Sequence, residues 1–274
     1  MFTRRCSVTV MKTTPHKISL DVGGTFIKCS DGRKVPIDSD GSREAIAAAI
    51  REAVGPVDGL EAVGVCIPGP FDYREGIFLM KHKFAAVYGE SFRSLAGLPE
   101  EVRLGFVHDV VAPLQGLLRL HPSLRQGRVA LVTLGTGLGF CYAVDGQIQL
   151  NERLSPAVPL YNRPFGGGIL EDFVSRRGIL HAYGAPVEGD VKEIADRARG
   201  GEPRAVEAFL SAGRAFAEGA GALLRELGIG TVFFGGQIAQ SFDLMRPAAE
   251  PLLDGITLIV AEDFAEAALQ GAAL

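Results

Sequence analysis

The sequence predicts an α/β fold with mixed sheets and two similar lobes. Apolar strands alternate along the chain with amphipathic helices, which is typical of sheets covered by helices. Several strands are joined by short glycine turns, and such hairpins require that the sheets contain antiparallel pairs. Two segments, Ile18–Thr25 (ISLDVGGT) and Leu131–Gly137 (LVTLGTG), each join an apolar strand to a Gly/Thr turn. This weak internal similarity predicts two lobes of one kind, each offering a turn to a phosphate.

The first 120 residues contain a predicted hairpin pair, a helix and two further strands. A strand turns back at Gly23-Gly24, and Asp31-Gly32 forms a second hairpin turn. Ser42 is a good N-cap for a helix whose apolar residues recur at helical spacing. A later buried strand is stopped by Pro68-Gly69-Pro70. The predicted strands are 17–22, 25–30, 34–37, 61–67 and 102–107, and the predicted helices follow Ser42 and span 110–120.

The remaining residues repeat this alternation. The hairpin turn is Asp145-Gly146, and the proline- and glycine-rich residues 151–168 are predicted to be irregular. Apolar side chains on the longest helix are interpreted as core rather than as a dimer surface, namely Phe209, Phe216, Ala220 and Leu224. The predicted strands are 129–134, 140–144, 147–150, 231–234 and 256–261, and the predicted helices are 169–176, 190–199, 203–227 and 265–273.

Composition excludes several classes of protein. The 274 residues carry 28 Lys and Arg against 32 Asp and Glu, a net charge of −4, which argues against a nucleic-acid partner. No apolar run approaches the ~18 residues of a membrane span, and residues 1–17 lack the apolar core of a secretory signal. The four cysteines form no CxxC pair. We therefore expect a soluble cytoplasmic protein with neither a nucleic-acid nor a membrane partner.

The first glycine turn is a candidate phosphate site. Consecutive Gly23 and Gly24 have no Cβ, so their backbone N–H groups could close on an anion in a nest-like turn. Thr25 adds a hydroxyl donor, and Asp21 is placed to hold Mg²⁺ directly or through water. The competing interpretation is a plain hairpin turn with an ordinary aspartate.

Two further glycine turns are weaker candidates. Gly135–Gly139 reads G-T-G-L-G, which misses the dinucleotide fingerprint by one residue and runs into a strand rather than a helix. A P-loop is excluded because no G-K-[ST] occurs. Gly235-Gly236 could present flat backbone to a base or ribose, or could simply end a strand.

Asp109 is the candidate general base. It follows His108 where a strand gives way to a helix, at the edge of an α/β sheet where chemistry usually lies. The competing explanation is structural, because aspartate is a preferred N-cap and stabilises a helix start by ~1 kcal/mol.

Taken together, these segments resemble the ROK (repressor, open reading frame, kinase) family, from about Lys17 to the C-terminus. Asp21–Lys28 is similar to the family's D-x-G-G-T-x-x-K motif, and Gly64–Asp72 resembles G-x-x-x-P-G-P-x-D. Val132–Gly139 is similar to its second phosphate loop, and 168–179 resembles G-C-L-E followed by S-G-R-x-I. Phe233–Ile238 resembles the adenosine-side G-G motif.

The resemblance implies two ribonuclease-H-like, actin-like ATPase lobes with ATP, Mg²⁺ and a sugar in the cleft between them. It makes Asp109 the catalytic base that takes the proton of a sugar hydroxyl attacking the γ-phosphorus. Gly69, His108 and Glu171 would lie on the sugar side, and Asp21 would hold the metal. The implied ATP-binding residues are Asp21, Gly23, Gly24, Thr25, Lys28, Thr133, Gly135, Thr136, Gly137, Gly139, Gly235 and Gly236.

The sequence departs from the family on the sugar side. His108 replaces the usual Asn, and Asn151–Pro159 contains no G-E-x-G-H segment. Cys141 is the last cysteine, Ile169 stands in the G-C-L-E position, and no structural zinc is expected. Glu171 alone remains of that cluster. The acceptor stays open between glucose, as in a glucokinase-like enzyme, and a related sugar, and these departures suggest a modified or non-glucose sugar.

Three functions stay open: a sugar kinase, a catalytically silent sugar or nucleotide sensor, and, more remotely, an actin- or chaperone-like ATPase. A DNA-binding repressor is disfavoured, because about sixteen residues before the first strand are too few for a DNA-binding domain. A homodimer is possible. The expected lobes are 1–111 with 264–274, and 112–263.

Overall fold

A computed structural model describes residues 16–186 and 189–274. Residues 1–15, which make up most of the segment considered above as a secretory signal, lie outside the described residues. The strands are β1 His16–Val22, β2 Phe26–Cys29, β3 Lys34–Pro36, β4 Leu60–Ile67, β5 Phe71–Asp72, β6 Ile77–Phe78, β7 Arg103–His108, β8 Arg128–Leu134, β9 Leu138–Val144, β10 Gln147–Ile148, β11 Pro164–Phe165, β12 Gly168–Ile169, β13 Thr231–Gly235 and β14 Thr257–Val260. The helices are α1 Arg43–Val54, α2 Phe92–Ala96, α3 Val111–Leu120, α4 Glu171–Val174, α5 Arg176–Tyr183, α6 Val191–Arg199, α7 Pro203–Glu226, α8 Phe242–Ala249 and α9 Phe264–Ala272.

Two five-stranded sheets have the same strand order. The first is β3-β2-β1-β4-β7, and the second is β10-β9-β8-β13-β14. In each, three consecutive strands form an antiparallel meander, and the first of those strands continues the sheet on its other side. In the second sheet β13 is parallel to both β8 and β14. The mixed α/β fold class and the internal similarity of the two halves are therefore confirmed.

Local sequence explains the ends of the helices and hairpins. The Ser42 hydroxyl accepts from the backbone N–H of Ala45 at 3.2 Å, which is the predicted N-cap of α1. Asp145 and Gly146 have φ of 49° and 78°, the left-handed conformations of a two-residue hairpin turn. Helix α7 is apolar on one face, and its predicted core residues are all fully buried, namely Phe209, Phe216, Ala220 and Leu224.

The described chain divides into two compact units. The first contains the described residues up to Val65, together with Pro70–Phe106 and Ala273–Leu274. The second contains Cys66–Gly69 and Val107–Ala272. The sequence assigns residues 264–274 to the first lobe, but α9 packs on α3 inside the second unit. A Cβ on Gly116 would overlap the carbonyl of Ala267, so this helix pair needs glycine at that position.

Some elements differ from the sequence prediction. Residues 151–168 are not wholly irregular, because β11 and β12 form a short hairpin. The single helix predicted at 169–176 is broken at Ser175, whose extended backbone separates α4 from α5. The β5–β6 hairpin and helices α2 and α8 are not predicted, because their segments are short or lack a clear helical period.

Candidate functional site

The first glycine turn, in the first unit, is closed by its own backbone. The N–H of Gly23 donates to the carbonyl of Phe26 at 2.9 Å, and neither Gly23 nor Gly24 has a positive φ. A Cβ on Gly23 would lie 3.0 Å from the Phe26 carbonyl, and one on Gly24 would lie 3.3 Å from Ser39 Oγ. The two glycines therefore do not form the αR-αL kind of nest, and their predicted phosphate role stays a prediction. Thr25 is exposed beside this tight turn.

Asp21 and Lys28 of the same unit form an ion pair across β1 and β2. Lys28 Nζ lies 3.0 Å from Asp21 Oδ2, and the two residues are directly opposite each other in the strand register. The Asp21 side chain is 19% exposed. Mg²⁺ is commonly held by one or two carboxylates plus phosphate oxygens and water, and this donor set fits that requirement.

Asp109 and His108, in the second unit, lie at the carboxyl end of β7. His108 Nδ1 is 2.8 Å from Asp109 Oδ1, and 42% of the Asp109 side chain is exposed. Helix α3 has Val110 as its N-cap residue, and no side chain caps it. The N-cap position of α3 is thus Val110 rather than Asp109, and the Asp109 carboxylate is half exposed at a strand end.

The segment after Asp109 packs against the second glycine loop. A Cβ on Gly139 would overlap both Val110 Cγ1 and Thr133 Oγ1. The buried thiol of Cys141 donates to the carbonyl of Val110 at 2.9 Å. Burial, together with the nearby charge of Asp109, raises the pKa of the Cys141 thiol well above its ordinary range. Gly139 thus permits the close approach of Val110, the residue after the candidate base, to the end of the candidate phosphate loop.

The loop itself is a tight turn between β8 and β9. The Gly135 N–H donates to the Gly137 carbonyl at 3.1 Å, and the Arg176 N–H donates to the Gly135 carbonyl at 2.9 Å. A Cβ on Gly135 would meet no atom within 4 Å. Glycine is therefore not required by packing at position 135, and Thr136 lies between these two glycines at the tip of the turn.

Glu171, predicted on the sugar side, contacts this loop. Its Oε2 accepts from the Leu138 N–H at 2.8 Å, and its Oε1 accepts from Arg177 Nη2 at 2.9 Å. Arg177 Nη2 also lies 2.8 Å from Asp172 Oδ1. Arg177 was missed as a functional candidate, although Ser175-Arg176-Arg177 lies within the S-G-R-x-I-like stretch.

Gly235 and Gly236, at the end of β13, have packing reasons to be glycine. A Cβ on Gly235 would overlap the ring of Phe264. Gly236 has a φ of +91°, and its Cβ would lie 2.5 Å from the Leu134 carbonyl. Their predicted nucleotide role stays a prediction, as does that of Gly69, which follows β4.

The apolar β11–β12 hairpin ends at Ile169, which stands in the position of the family's G-C-L-E cysteine. The rings of Phe165 and Phe173 meet edge to face with centroids 5.1 Å apart. Asp172 Oδ2 accepts from the Ile169 N–H at 3.0 Å. Gly166 has a φ of +56°, and its Cβ would lie 2.5 Å from the Phe173 ring. Over residues 16–186 and 189–274, no three His, Cys, Asp or Glu side chains form a group that could hold a metal ion. In the same residues, no helix has the length and apolar character needed to cross a bilayer.

The fold is shared with solved ROK structures. A ROK family glucokinase from Streptomyces griseus, solved with glucose and AMPPNP, superposes with a TM-score of 0.73 at 22% identity over 94% of this chain and 97% of that one. ROK hexokinase from Thermus thermophilus superposes with a TM-score of 0.67 at 24% identity, over 94% of this chain and 96% of that one. A ROK family transcriptional regulator, a homologue of the E. coli MLC protein, superposes with a TM-score of 0.73 at 18% identity, over 93% of this chain and 76% of that one. The sequence matches no protein family model and no curated protein. The resemblance of the fold to solved ROK structures is confirmed, and the chain has two mixed α/β sheets of the same strand order.

Proposed function

We propose that this chain is an ATP-dependent sugar kinase of the ROK type that acts on an unusual sugar. The observation that supports this most directly is the close approach of Val110, the residue after Asp109, to Gly139 of the Gly135–Gly139 loop. The solved kinases of the same fold support the reaction class.

In the proposed reaction Asp109 is the general base. Its carboxylate takes the proton of a sugar hydroxyl while that oxygen attacks the γ-phosphorus of ATP and ADP leaves. The carboxylate is 42% exposed at the carboxyl end of β7, where a hydroxyl from a bound molecule can reach it. Backbone donors of the Gly135–Gly139 loop bind the phosphate oxygens, and Thr133, Gly235 and Gly236 complete the ATP side in the second unit.

The first unit contributes Asp21, Gly23, Gly24, Thr25 and Lys28 to ATP binding. Mg²⁺, when bound, neutralises charge on the phosphates. Asp21 would hold this ion, and Lys28, now paired with Asp21 at 3.0 Å, would be released towards a phosphate oxygen. Exposed Thr25 would add a hydroxyl donor.

The acceptor is proposed to be a sugar other than glucose. His108 replaces an asparagine, and an imidazole differs from a carboxamide in reach and charge. Residues 151–159 carry no Glu-x-Gly-His sequence, and the neighbouring segment is an apolar hairpin. With Gly69, these residues give the acceptor side a different set of polar groups.

The direct test is a panel of neutral, amino and acidic sugars, with Mg²⁺ and either ATP or polyphosphate, read by ADP release or by sugar phosphate formation. We expect product from one sugar class, and the same panel identifies the phosphoryl donor. If ADP is released at the same rate with and without every sugar of the panel, the protein is an ATPase and the proposal is overturned.

A silent sensor is the second candidate, because a transcriptional regulator has the same fold. It would bind a sugar or a nucleotide without forming product. Binding of sugars and of AMPPNP, measured by calorimetry on the same protein, separates it from an enzyme: saturable sugar binding with no product from any donor would favour the sensor.

A further inference from the structure

Both carboxylate oxygens of Glu171 are engaged by groups of the second unit. One accepts from the backbone of Leu138, and the other accepts from Arg177 at 2.9 Å. The Glu171 side chain is 19% exposed, whereas Arg177 is 53% exposed. Glu171 is thus fixed on two sides, and its shorter bond, of 2.8 Å, is made to the glycine loop.

This bond sets the shape of the loop at its last turn. Leu138 is the residue at which the loop enters β9, and a Cβ on Gly137 would lie 2.7 Å from Glu171 Oε2. Glycine at 137 therefore leaves room for the carboxylate. On the other side, the Arg176 N–H holds the Gly135 carbonyl at 2.9 Å. The short segment from Glu171 to Arg176 thus holds both ends of the loop.

The position of this carboxylate conflicts with phosphate binding unless its charge is compensated. A negative group hydrogen-bonded to a loop N–H repels a phosphate bound to the same loop, and this repulsion is strong where water is partly excluded. Arg177 supplies the opposite charge, and it also pairs with Asp172 at 2.8 Å. Removal of the Arg177 guanidinium would leave the Glu171 carboxylate, which is bonded to the loop, without this opposite charge.

We propose that Glu171 and Arg177 form a charge-compensated clamp on the Gly135–Gly139 loop. Glu171 is a positioning residue that shapes the loop, and Arg177 makes that shape compatible with the phosphates of the donor. The family resemblance assigns Glu171 to the sugar instead. The inference rests on the proposed function only in requiring that this loop bind the donor phosphates.

The test is a charge cycle with a phosphate-bearing and a phosphate-free probe. AMPPNP and adenosine are titrated by calorimetry into the full-length wild type, Arg177→Met, Glu171→Gln and the double variant. We expect Arg177→Met to weaken AMPPNP binding at least tenfold and to leave adenosine binding unchanged. The double variant should recover most of this loss, because the uncompensated charge at position 171 is gone. Arg177→Lys, which keeps the charge, should lie between Arg177→Met and the wild type.

Arg214→Met is the matched control, since Arg214 is a largely exposed arginine of the same unit that also pairs with a glutamate, Glu207, but lies on α7. Equal effects of Arg214→Met and Arg177→Met, or no recovery in the double variant, would overturn the clamp. Thermal unfolding checks that each variant folds. If Arg177→Met is unfolded, Arg177→Lys is used in its place. If the wild type does not bind AMPPNP, the proposed function is overturned as well. If the wild type binds AMPPNP and the variants bind it with the same affinity, only the clamp is overturned.

Steady-state kinetics separate the clamp from a sugar-binding role. With the sugar found in the panel, Glu171→Ala, which removes the bond to Leu138 that shapes the loop, should raise the KM for the donor and leave the KM for the sugar within about twofold. A rise in the sugar KM alone would return Glu171 to the acceptor side.

Discussion

His108 Nδ1 lies 2.8 Å from Oδ1 of Asp109 and 3.3 Å from the backbone nitrogen of Val110. A protonated Nδ1 can donate to the carboxylate, whereas an unprotonated Nδ1 can accept from the Val110 N–H. The two hydrogen bonds exclude each other. The position of one proton on His108 therefore decides which of these two hydrogen bonds forms.

Replacement of His108 tests this relationship. An asparagine side chain at this position could donate to Asp109 and accept from the Val110 N–H at once, so we expect His108→Asn to keep kcat within about tenfold of the wild type. His108→Leu offers neither group and should lose one to two further orders of magnitude, within the range typical of misplaced acid–base groups. The measurement is kcat with the sugar identified by the panel. Equal activity of the two variants would show that His108 does not orient Asp109.

Asp109→Asn tests the base itself. The carboxamide keeps the size of the side chain but cannot take a proton, so turnover should fall by about 10²–10⁴-fold. AMPPNP binding should stay near the wild-type value. Asp254→Asn, at an exposed position in the same unit, is the matched control and should leave both quantities unchanged. Normal turnover in Asp109→Asn would remove Asp109 from the mechanism.

Substitutions at two glycines of the second loop distinguish an effect on stability from an effect on ligand binding. A Cβ on Gly135 meets no protein atom within 4 Å, so Gly135→Ala should leave the free energy of unfolding within about 0.5 kcal/mol. Any loss of AMPPNP affinity in this variant must then come from contact with the ligand. Gly139→Ala should instead destabilise the protein by about 1–3 kcal/mol, because Val110 and Thr133 leave no space there. Urea unfolding and calorimetry measure the two effects, and normal AMPPNP binding by Gly135→Ala would argue against close approach of a phosphate at this position.

The sequence predicts the sheets and most helices because their signals are local. Ser42 caps α1 as expected, and the residue pair Asp145-Gly146 itself predicts the left-handed hairpin turn that it forms. The break at Ser175 could not be predicted, since it depends on the Gly135 carbonyl, which lies about forty residues earlier in the chain. The same holds for the bond between Glu171 and Leu138, which joins residues 33 apart. Contacts between distant segments decide the detail of the candidate site, and no periodicity encodes them.

The burial of Cys141 predicts a pH dependence of stability. Because the pKa of this thiol is raised in the folded state, the unfolded chain releases the proton first as the pH rises. The stabilisation is therefore complete below the unfolded pKa of about 8.5 and is lost above it, with a slope of up to about 1.4 kcal/mol per pH unit. We expect Cys141→Ala to lower stability at every pH but to flatten this slope. Urea unfolding between pH 7 and pH 10 measures it, and identical slopes in the two proteins would contradict the assignment.

The hairpin that contains Phe165 should hold its segment without a metal ion. Phe173 packs edge to face on Phe165, and its ring also fills the space left by Gly166, which has a positive φ. Phe173→Ala should destabilise the protein by about 2–3 kcal/mol, at the lower end for buried phenylalanines because this ring is only half-buried. Phe173→Leu should cost about half as much. A chelator should leave the Tm of the wild type unchanged, and elemental analysis should find no stoichiometric zinc. If zinc co-purifies at one ion per chain, or if the chelator lowers the Tm as far as Phe173→Ala does, the aromatic pair is not what holds this segment.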